Sequence, residues 1–156
     1  MGNERGDINV LRDLGEQVAR IATLPINDKR RELYSRINNL EKAKPSIHIY
    51  EIPWHEMDID DELKLRTRDP FFQGIELNLR RTLYSWKHMQ GDMVVEPIIE
   101  QPLLIHDTGF GIDEEVDVAI TDPQSDVVSR RFHVQIKDEG DIEKIKMPKV
   151  TFDGER

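Results

Sequence analysis

The sequence predicts an α/β fold built around one βαβ unit. Two short apolar runs, 46–52 and 93–99, have the length and composition of buried strands, and a long amphipathic pattern separates them. A strand, a helix and a second strand in this order form a parallel pair joined by a right-handed crossover. The chain has 156 residues, of which 37% are hydrophobic, enough for one domain with a core of its own.

Two helices are predicted before the first strand, within residues 1–44. Apolar side chains recur every three or four residues over 10–22, and Asp7 is the expected N-cap of this helix. Asn27 is the expected N-cap of the second helix, which ends before Pro45 forces the chain to extend. Both helices are expected to cover one face or one end of the βαβ unit.

The βαβ unit is predicted in residues 45–100. Proline stands on both sides of the first run and limits its length, because proline donates no hydrogen bond to a sheet. Asp69 and Pro70 form the clearest helix start in the chain, an acidic N-cap followed by proline at the first helical position. Helical spacing of large apolar residues continues to Met89, and the second strand comes after it.

Residues 101–156 are predicted to form a β-rich excursion and a connector. They contain three short β-like runs separated by Gly and Asp-Pro turns, at 103–107, 116–120 and 127–136. We therefore expect an antiparallel arrangement here. Asp138 or Asp141 is expected to open a short helix, and 150–152 is either a third strand or a linker.

Polar residues at the two strand ends form the predicted catalytic site. Because parallel neighbours bring their carboxyl ends to one edge of a sheet, Glu51 and Glu96 are expected to share one neighbourhood. His55 adds an imidazole, a side chain that enzymes commonly use for proton transfer, so these three residues are predicted as acid, base or ligand. Glu96 is either buried and suited to proton transfer or salt-bridged to Arg80 or Arg81.

Four further residues are predicted to contact the substrate: Trp54, Glu56, His106 and Phe110. Trp54 is placed to stack on a flat ligand, with packing as the alternative. His106 and the turn at 108–111 would form a loop over the site, where glycine lets the backbone approach a ligand; an ordinary turn is the alternative. For the polar residues at the strand ends, the alternative is a structural role, in a loop whose polar side chains accept hydrogen bonds from backbone N–H groups.

Two other patterns are weaker. Some of these residues have the side-chain types that bind metal ions, but their spacing does not require a site, so a metal is left unknown: Glu51, His55, Glu96 and His106. The pair Arg80-Arg81 resembles an anion site, although such a pair on a helix is usually a solvated face with intrahelical partners such as Glu76.

Charge and cysteine content exclude several classes of function. The 22 Lys and Arg are outnumbered by 31 Asp and Glu, and a net charge of −9 repels nucleic acid. The absence of cysteine excludes disulfides, thiolate nucleophiles and thiolate zinc sites within this chain. No apolar stretch has the length of a membrane span, so we expect a cytoplasmic protein with a small-molecule substrate and no membrane partner.

Five segments together resemble the N-terminal portion of the uroporphyrinogen decarboxylase superfamily, in its decarboxylase-like branch. They are Glu51-Ile-Pro-Trp-His-Glu-Met57, Leu79–Met89, Met93-Val-Val-Glu-Pro97, His106-Asp-Thr-Gly-Phe-Gly111 and Asp141–Pro148. The resemblance implies a TIM-type barrel of which this chain is the first portion, and therefore incomplete. It implies action on a carboxylated tetrapyrrole, or corrinoid-linked methyl transfer; zinc or a corrinoid enters as a cofactor only through this resemblance.

The resemblance departs from the family at the first strand end. Decarboxylases of the family hold the substrate carboxylates with an arginine-containing loop, whereas this chain has Glu51-Ile-Pro-Trp-His-Glu56 there. We therefore expect a protein that is not a standard decarboxylase, a lyase or a transferase if the rest of the barrel is supplied. The alternative is a non-catalytic fragment or binding module. An unclosed barrel exposes strand edges, so this alternative predicts association with copies of itself or with a companion chain.

Overall fold

The fold is mixed α/β, as the sequence predicts. A computed structural model describes residues 2–101, 105–123 and 128–152, with side chains from residue 5. The chain divides into two compact units, Met1–Ile99 and Glu100–Arg156. None of the helices in the described residues combines the length and the apolar character needed to cross a bilayer.

Three α-helices form the first unit: α1, Gly2–Ala22; α2, Pro25–Asn38; and α3, Pro70–His88. All three confirm the predicted helices. α1 packs on α3 around a small core of Leu14, Val18, Leu79 and Val95. The spacing of four between the first two of these residues places them on one side of α1, which is the stripe that the sequence pattern indicates.

Of the predicted caps of these three helices, one is correct and two are wrong. The Asp69 carboxylate accepts from the backbone N–H groups of the first turn of α3. Asp7 instead lies inside α1, and its carboxylate accepts from the backbone N–H of Arg68 at 3.1 Å. Asn27 lies in the first turn of α2, which begins at Pro25, and its Oδ1 accepts from Val95 N at 2.9 Å. Both residues therefore bind the main chain of distant segments.

The predicted βαβ unit is wrong in its two strands. Neither 46–52 nor 93–99 forms a β-ladder in the part of the chain that the structure describes, which also contains no closed barrel. Side chains take up the backbone groups that a sheet would use. Ile47 N donates to Asp92 Oδ2 at 3.1 Å, and Arg30 donates to the carbonyl of Met93 at 2.7 Å. Because these groups are occupied, the two runs do not pair with each other. One run precedes α3 in the sequence, and the other follows it.

Glu76 makes the densest of these side-chain contacts. Its carboxylate is fully buried and accepts from Thr67 N at 2.8 Å, Thr67 Oγ1 at 2.7 Å and Arg66 N at 2.9 Å. Arg80, one turn later on α3, donates its Nε to the same carboxylate at 2.7 Å and an Nη to the carbonyl of Glu62 at 2.9 Å. The segment before α3 is thus fastened to the helix by one ionised group.

The described part of the second unit contains two antiparallel two-stranded sheets, which confirms the predicted antiparallel excursion. β1, Ile105–Asp107, pairs with β4, Val150–Phe152, and β2, Val116–Ala119, pairs with β3, Ser129–Phe132. The predicted short helix is a 3₁₀ helix, Glu139–Lys144, with Asp138 as its N-cap. Leu103, Leu104 and Val127, at the starts of two predicted β-runs, lie outside the described residues.

Replacing Glu76 by glutamine is expected to lower the free energy of unfolding by about 3 kcal/mol, because an amide cannot accept all of these bonds and leaves the Arg80 guanidinium buried without its counter-charge. Urea denaturation followed by circular dichroism measures this loss. Glu16→Gln, an exposed position on α1, is the matched control and should change the stability by less than about 0.5 kcal/mol. Equal stability of the two variants would contradict the role of Glu76.

The same carboxylate predicts a pH dependence of stability. Burial alone would raise the pKa of Glu76, but the hydrogen bonds from Thr67, Arg80 and Arg66 outweigh it and hold the pKa below the usual 4.5. The ionised group therefore contributes its full stabilisation above pH 4.5 and loses it as the pH falls through the lowered pKa. Glu76→Gln should flatten this acid limb of the stability curve, whereas Glu16→Gln should leave it as in the wild type.

Candidate functional site

Trp54, His55 and Glu56 form a single 3₁₀ turn that packs on α3. The Trp54 ring meets Tyr84 edge to face, with 6.0 Å between the ring centroids, and the Arg81 guanidinium lies 4.9 Å from the indole centroid. His55 Nε2 is 3.5 Å from Glu56 Oε1. The structure therefore brings together three of the predicted site residues.

Glu51 lies on the exposed chain just before this turn. Its backbone is left-handed, with φ of 55°, a conformation that costs free energy for any residue except glycine. The side chain makes no hydrogen bond or ion pair with the described part of the chain. Glu51 thus shares a chain segment with His55 but has no contact that positions its carboxylate.

Glu96 is placed by a different helix. Its side chain is 55% exposed and lies 3.5 Å from the Nε of Arg31 on α2, so its ion-pair partner is neither Arg80 nor Arg81. The predicted neighbourhood of Glu51 and Glu96 depended on a common sheet edge, and that sheet does not form. The contacts of Glu96 are with α2, and those of the Trp54 turn are with α3.

His106 and Phe110 belong to the second unit. His106 lies on β1 opposite Thr151 of β4, and the carbonyl of Phe110 accepts from Lys146 N at 2.7 Å. Gly111 has a φ of 77°, and a Cβ there would meet the Lys144 carbonyl at 3.0 Å. The glycine therefore allows the turn to approach its own unit's backbone, which fits the alternative of an ordinary turn.

The described residues provide no fit for a metal centre. Across 2–101, 105–123 and 128–152, no three His, Asp or Glu side chains come close enough together to hold an ion. His55 and Glu56 are adjacent, but Glu96 is drawn to Arg31 and His106 pairs across a sheet of the other unit.

A groove of about 710 Å³ lies in the first unit between α1, the segment 60–66 and the second half of α3. This volume is within the range of small-molecule sites. Its apolar lining comes from Val10, Leu14, Ile21, Leu83 and Trp86. Its charged lining comes from Asp13, Asp60, Asp61, Glu62, Arg66, Arg80 and Lys87.

A tight turn supplies three of the acidic residues of the groove. Asp60 and Asp61 are both left-handed, with φ of 54° and 59°, and Glu62 N donates to the Ile59 carbonyl at 3.1 Å. Two consecutive left-handed residues closed by this bond form a type I′ turn, in which aspartate is tolerated better than most residues. Asp58 supports the turn by accepting from Leu63 N at 2.9 Å.

Two of the charged residues of the groove, Glu62 and Lys87, pair with each other. Glu62 accepts from Lys87 at 2.5 Å and faces His88 Nε2 at 3.1 Å. The bond from Lys87 lowers the pKa of Glu62, and the same bond raises the pKa of Lys87. Both groups therefore stay ionised around neutral pH, so they suit electrostatic binding and not proton transfer.

Sequence reasoning missed this groove because the segment 58–68 has the composition of a solvated charged loop. The sequence shows that Glu76 and Arg80 are four residues apart on a helix, and it predicts a solvated face there. That prediction is wrong for Arg80, which is buried in its ion pair with Glu76. The consecutive pair Asp60-Asp61 directly after Ile59 is the local signal that could have indicated a tight turn at 59–62.

No protein-family model, curated protein or solved structure matches this chain.

Proposed function

We propose that this chain is a non-catalytic binding module that holds an extended segment of a companion polypeptide on its second unit. The observation that carries the proposal is the exposure of the apolar faces of both two-stranded sheets. In the β2–β3 pair, Val116 lies opposite Phe132 and Val118 lies opposite Arg130. Since residues directly opposite share a face, Val116, Val118, Phe132 and Arg130 lie on one face, and three of these four side chains are apolar.

The other face of β2–β3 is polar, with Asp117 opposite Arg131 and Ala119 opposite Ser129. His133 adds a contact with Asp117 at 2.9 Å. A sheet with this alternation normally covers its apolar face with the core of its own domain. Here Phe132 is 58% exposed and Val118 is 51% exposed.

The β1–β4 sheet repeats this arrangement. Ile105 lies opposite Phe152, and Asp107 lies opposite Val150, so three of these four side chains are apolar and on one face. Phe152 is 67% exposed. An isolated two-stranded sheet is marginally stable in water, and a further strand on its edge would supply the missing hydrogen bonds and burial.

Charge favours a companion chain over a second copy. Residues 100–156 contain 14 Asp and Glu against 7 Lys and Arg, so this unit has seven of the nine net negative charges. Two such units repel each other, whereas apolar residues alternating with lysine or arginine complement both the apolar face and the acidic surroundings. An extended basic and apolar segment is therefore the proposed partner.

Binding of two designed peptides tests the proposal, one alternating valine with lysine and the other valine with glutamate. The lysine peptide should bind, with amide shifts in the second unit measured by NMR, and the glutamate peptide should not. The double variant Val118→Thr, Phe132→Thr should weaken binding on the order of tenfold, because it removes apolar contact at unchanged charge. Ser129→Thr, on the polar face, is the matched control and should bind as the wild type does.

Two results would contradict this proposal. Unchanged binding in the double variant would assign the effect to charge alone. The second result is a molecular mass that rises with protein concentration in sedimentation experiments on the wild type but stays at the monomer value in the double variant. This result would favour a homo-oligomer instead of a companion chain.

A second candidate function is that of the uroporphyrinogen decarboxylase resemblance, with the chain as the first portion of a TIM-type barrel. The assembly of Trp54, His55 and Glu56 in one turn on α3 favours it, because it places an indole and an imidazole side by side. The protein would act on a carboxylated tetrapyrrole or take part in corrinoid-linked methyl transfer, with Glu51, His55 and Glu96 as acid, base or ligand. Catalysis would need the remainder of the barrel.

Binding of uroporphyrin, a stable polycarboxylated tetrapyrrole, tests this second candidate. Glu51→Gln and Glu96→Gln should each change its affinity several-fold if the carboxylates face the ligand, as measured by porphyrin fluorescence. Glu32→Gln, at an exposed position of α2, is the control and should have no effect. Unchanged affinity in both variants, with circular dichroism as in the wild type, would remove these two residues from the site.

A further inference from the structure

Two arginines of the first unit each stack on a tryptophan. The guanidinium carbon of Arg30 lies 5.1 Å from the ring centroid of Trp86, and that of Arg81 lies 4.9 Å from the ring centroid of Trp54. Attraction between the cation and the ring face holds such a guanidinium in place. The two stacks form a natural comparison, because they differ in what the guanidinium N–H groups contact.

The N–H groups of Arg30 are occupied by the protein. Its Nη atoms donate to the carbonyl of Met93 at 2.7 Å, the carbonyl of Gly91 at 2.9 Å and Gln90 Oε1 at 3.3 Å. The side chain is buried. Arg30 is therefore a structural residue that fastens the segment after α3 to α2.

Arg81 has no such acceptors. Its Nε is shut off from solvent without a hydrogen-bond partner, and no carboxylate or carbonyl of the described residues bonds to its guanidinium. Arg80, its neighbour in sequence, is by contrast fully engaged with Glu76 and the Glu62 carbonyl. A charged donor that is partly desolvated and unpaired is costly, so an arriving anion would be favoured.

We propose that Arg81 and Trp54 form a binding site for the carboxylate of a small molecule. Because Nε is covered, the two Nη groups are the edge that a ligand reaches, and they match the spacing of two carboxylate oxygens. Trp54 lies against the guanidinium on one side and limits its movement. The stack thus presents a pre-oriented pair of donors.

The surroundings select a carboxylate over a phosphate. Glu56 lies next to His55 in the same turn as Trp54. Tyr84, which contacts Trp54, has a raised pKa, mainly because it is buried and in addition because Glu62 and Asp58 are negatively charged. In this acidic neighbourhood and on a chain of net charge −9, a singly charged planar anion is repelled less than a phosphate dianion. The site lies in the first unit and does not rest on the companion segment proposed for the second.

Titration of the native protein with benzoate, followed by NMR of the Arg81 Nε–H and Trp54 indole N–H signals, tests the site. Both signals should shift saturably with benzoate and not with benzamide, its neutral analogue. Arg81→Gln should weaken benzoate binding on the order of tenfold or more, and Arg81→Lys should weaken it several-fold because lysine keeps the charge without the paired donors. Arg31→Gln removes the same charge from an arginine already paired with Asp28 and should leave binding unchanged.

Three results would overturn the proposal. Signals of Arg81 and Trp54 that do not move with benzoate in the wild type would exclude the site without recourse to any variant. Equal weakening in Arg31→Gln and Arg81→Gln would assign the effect to overall charge. Inorganic phosphate that binds as tightly as benzoate would exclude the selection for a carboxylate. Because the second unit is not involved, loss of peptide binding there would leave each of these measurements unaffected.

Discussion

The first unit depends on buried polar side chains that bind the main chain of segments without a sheet. Glu76 holds the chain before α3, and Asn27 holds Val95. Each of these contacts satisfies a backbone donor that a β-ladder would otherwise satisfy, and an unpaired buried donor is costly. The apolar core is small, with only six buried apolar side chains among the described residues, so these polar contacts determine where the extended segments lie.

This arrangement explains which parts of the fold could be predicted from the sequence. The helices follow from local information, namely apolar spacing and the Asp69-Pro70 start, and they form where expected. The runs 46–52 and 93–99 have the apolar length of strands, but sequence pattern does not distinguish a strand in a ladder from an extended segment bound by side chains. Asp7 and Asn27 have the residue types of helix caps, and the same acceptor groups serve equally well for a distant backbone N–H.

In the candidate site too, the contacts between residues near in sequence could be predicted and those between distant residues could not. Trp54, His55 and Glu56 come together because they are adjacent in the chain and one turn joins them. Glu96 was expected nearby only through a parallel sheet, and it lies against Arg31 because no sheet carries it elsewhere. Arg80 and Arg81 show the limit of pattern reasoning most directly. One helical step of about 100° places the first in a buried ion pair and the second on an indole, and no local signal separates them.

The Glu76 contact has a further consequence, for the order in which the first unit assembles. It joins residues only nine apart, whereas the contacts of Asp7 with Arg68 and of Asn27 with Val95 join residues 61 and 68 apart. Closing a short loop costs less chain entropy than closing a long one. We therefore expect the start of α3 and its preceding segment to organise early in folding, and α1 and α2 to be gathered onto this nucleus afterwards.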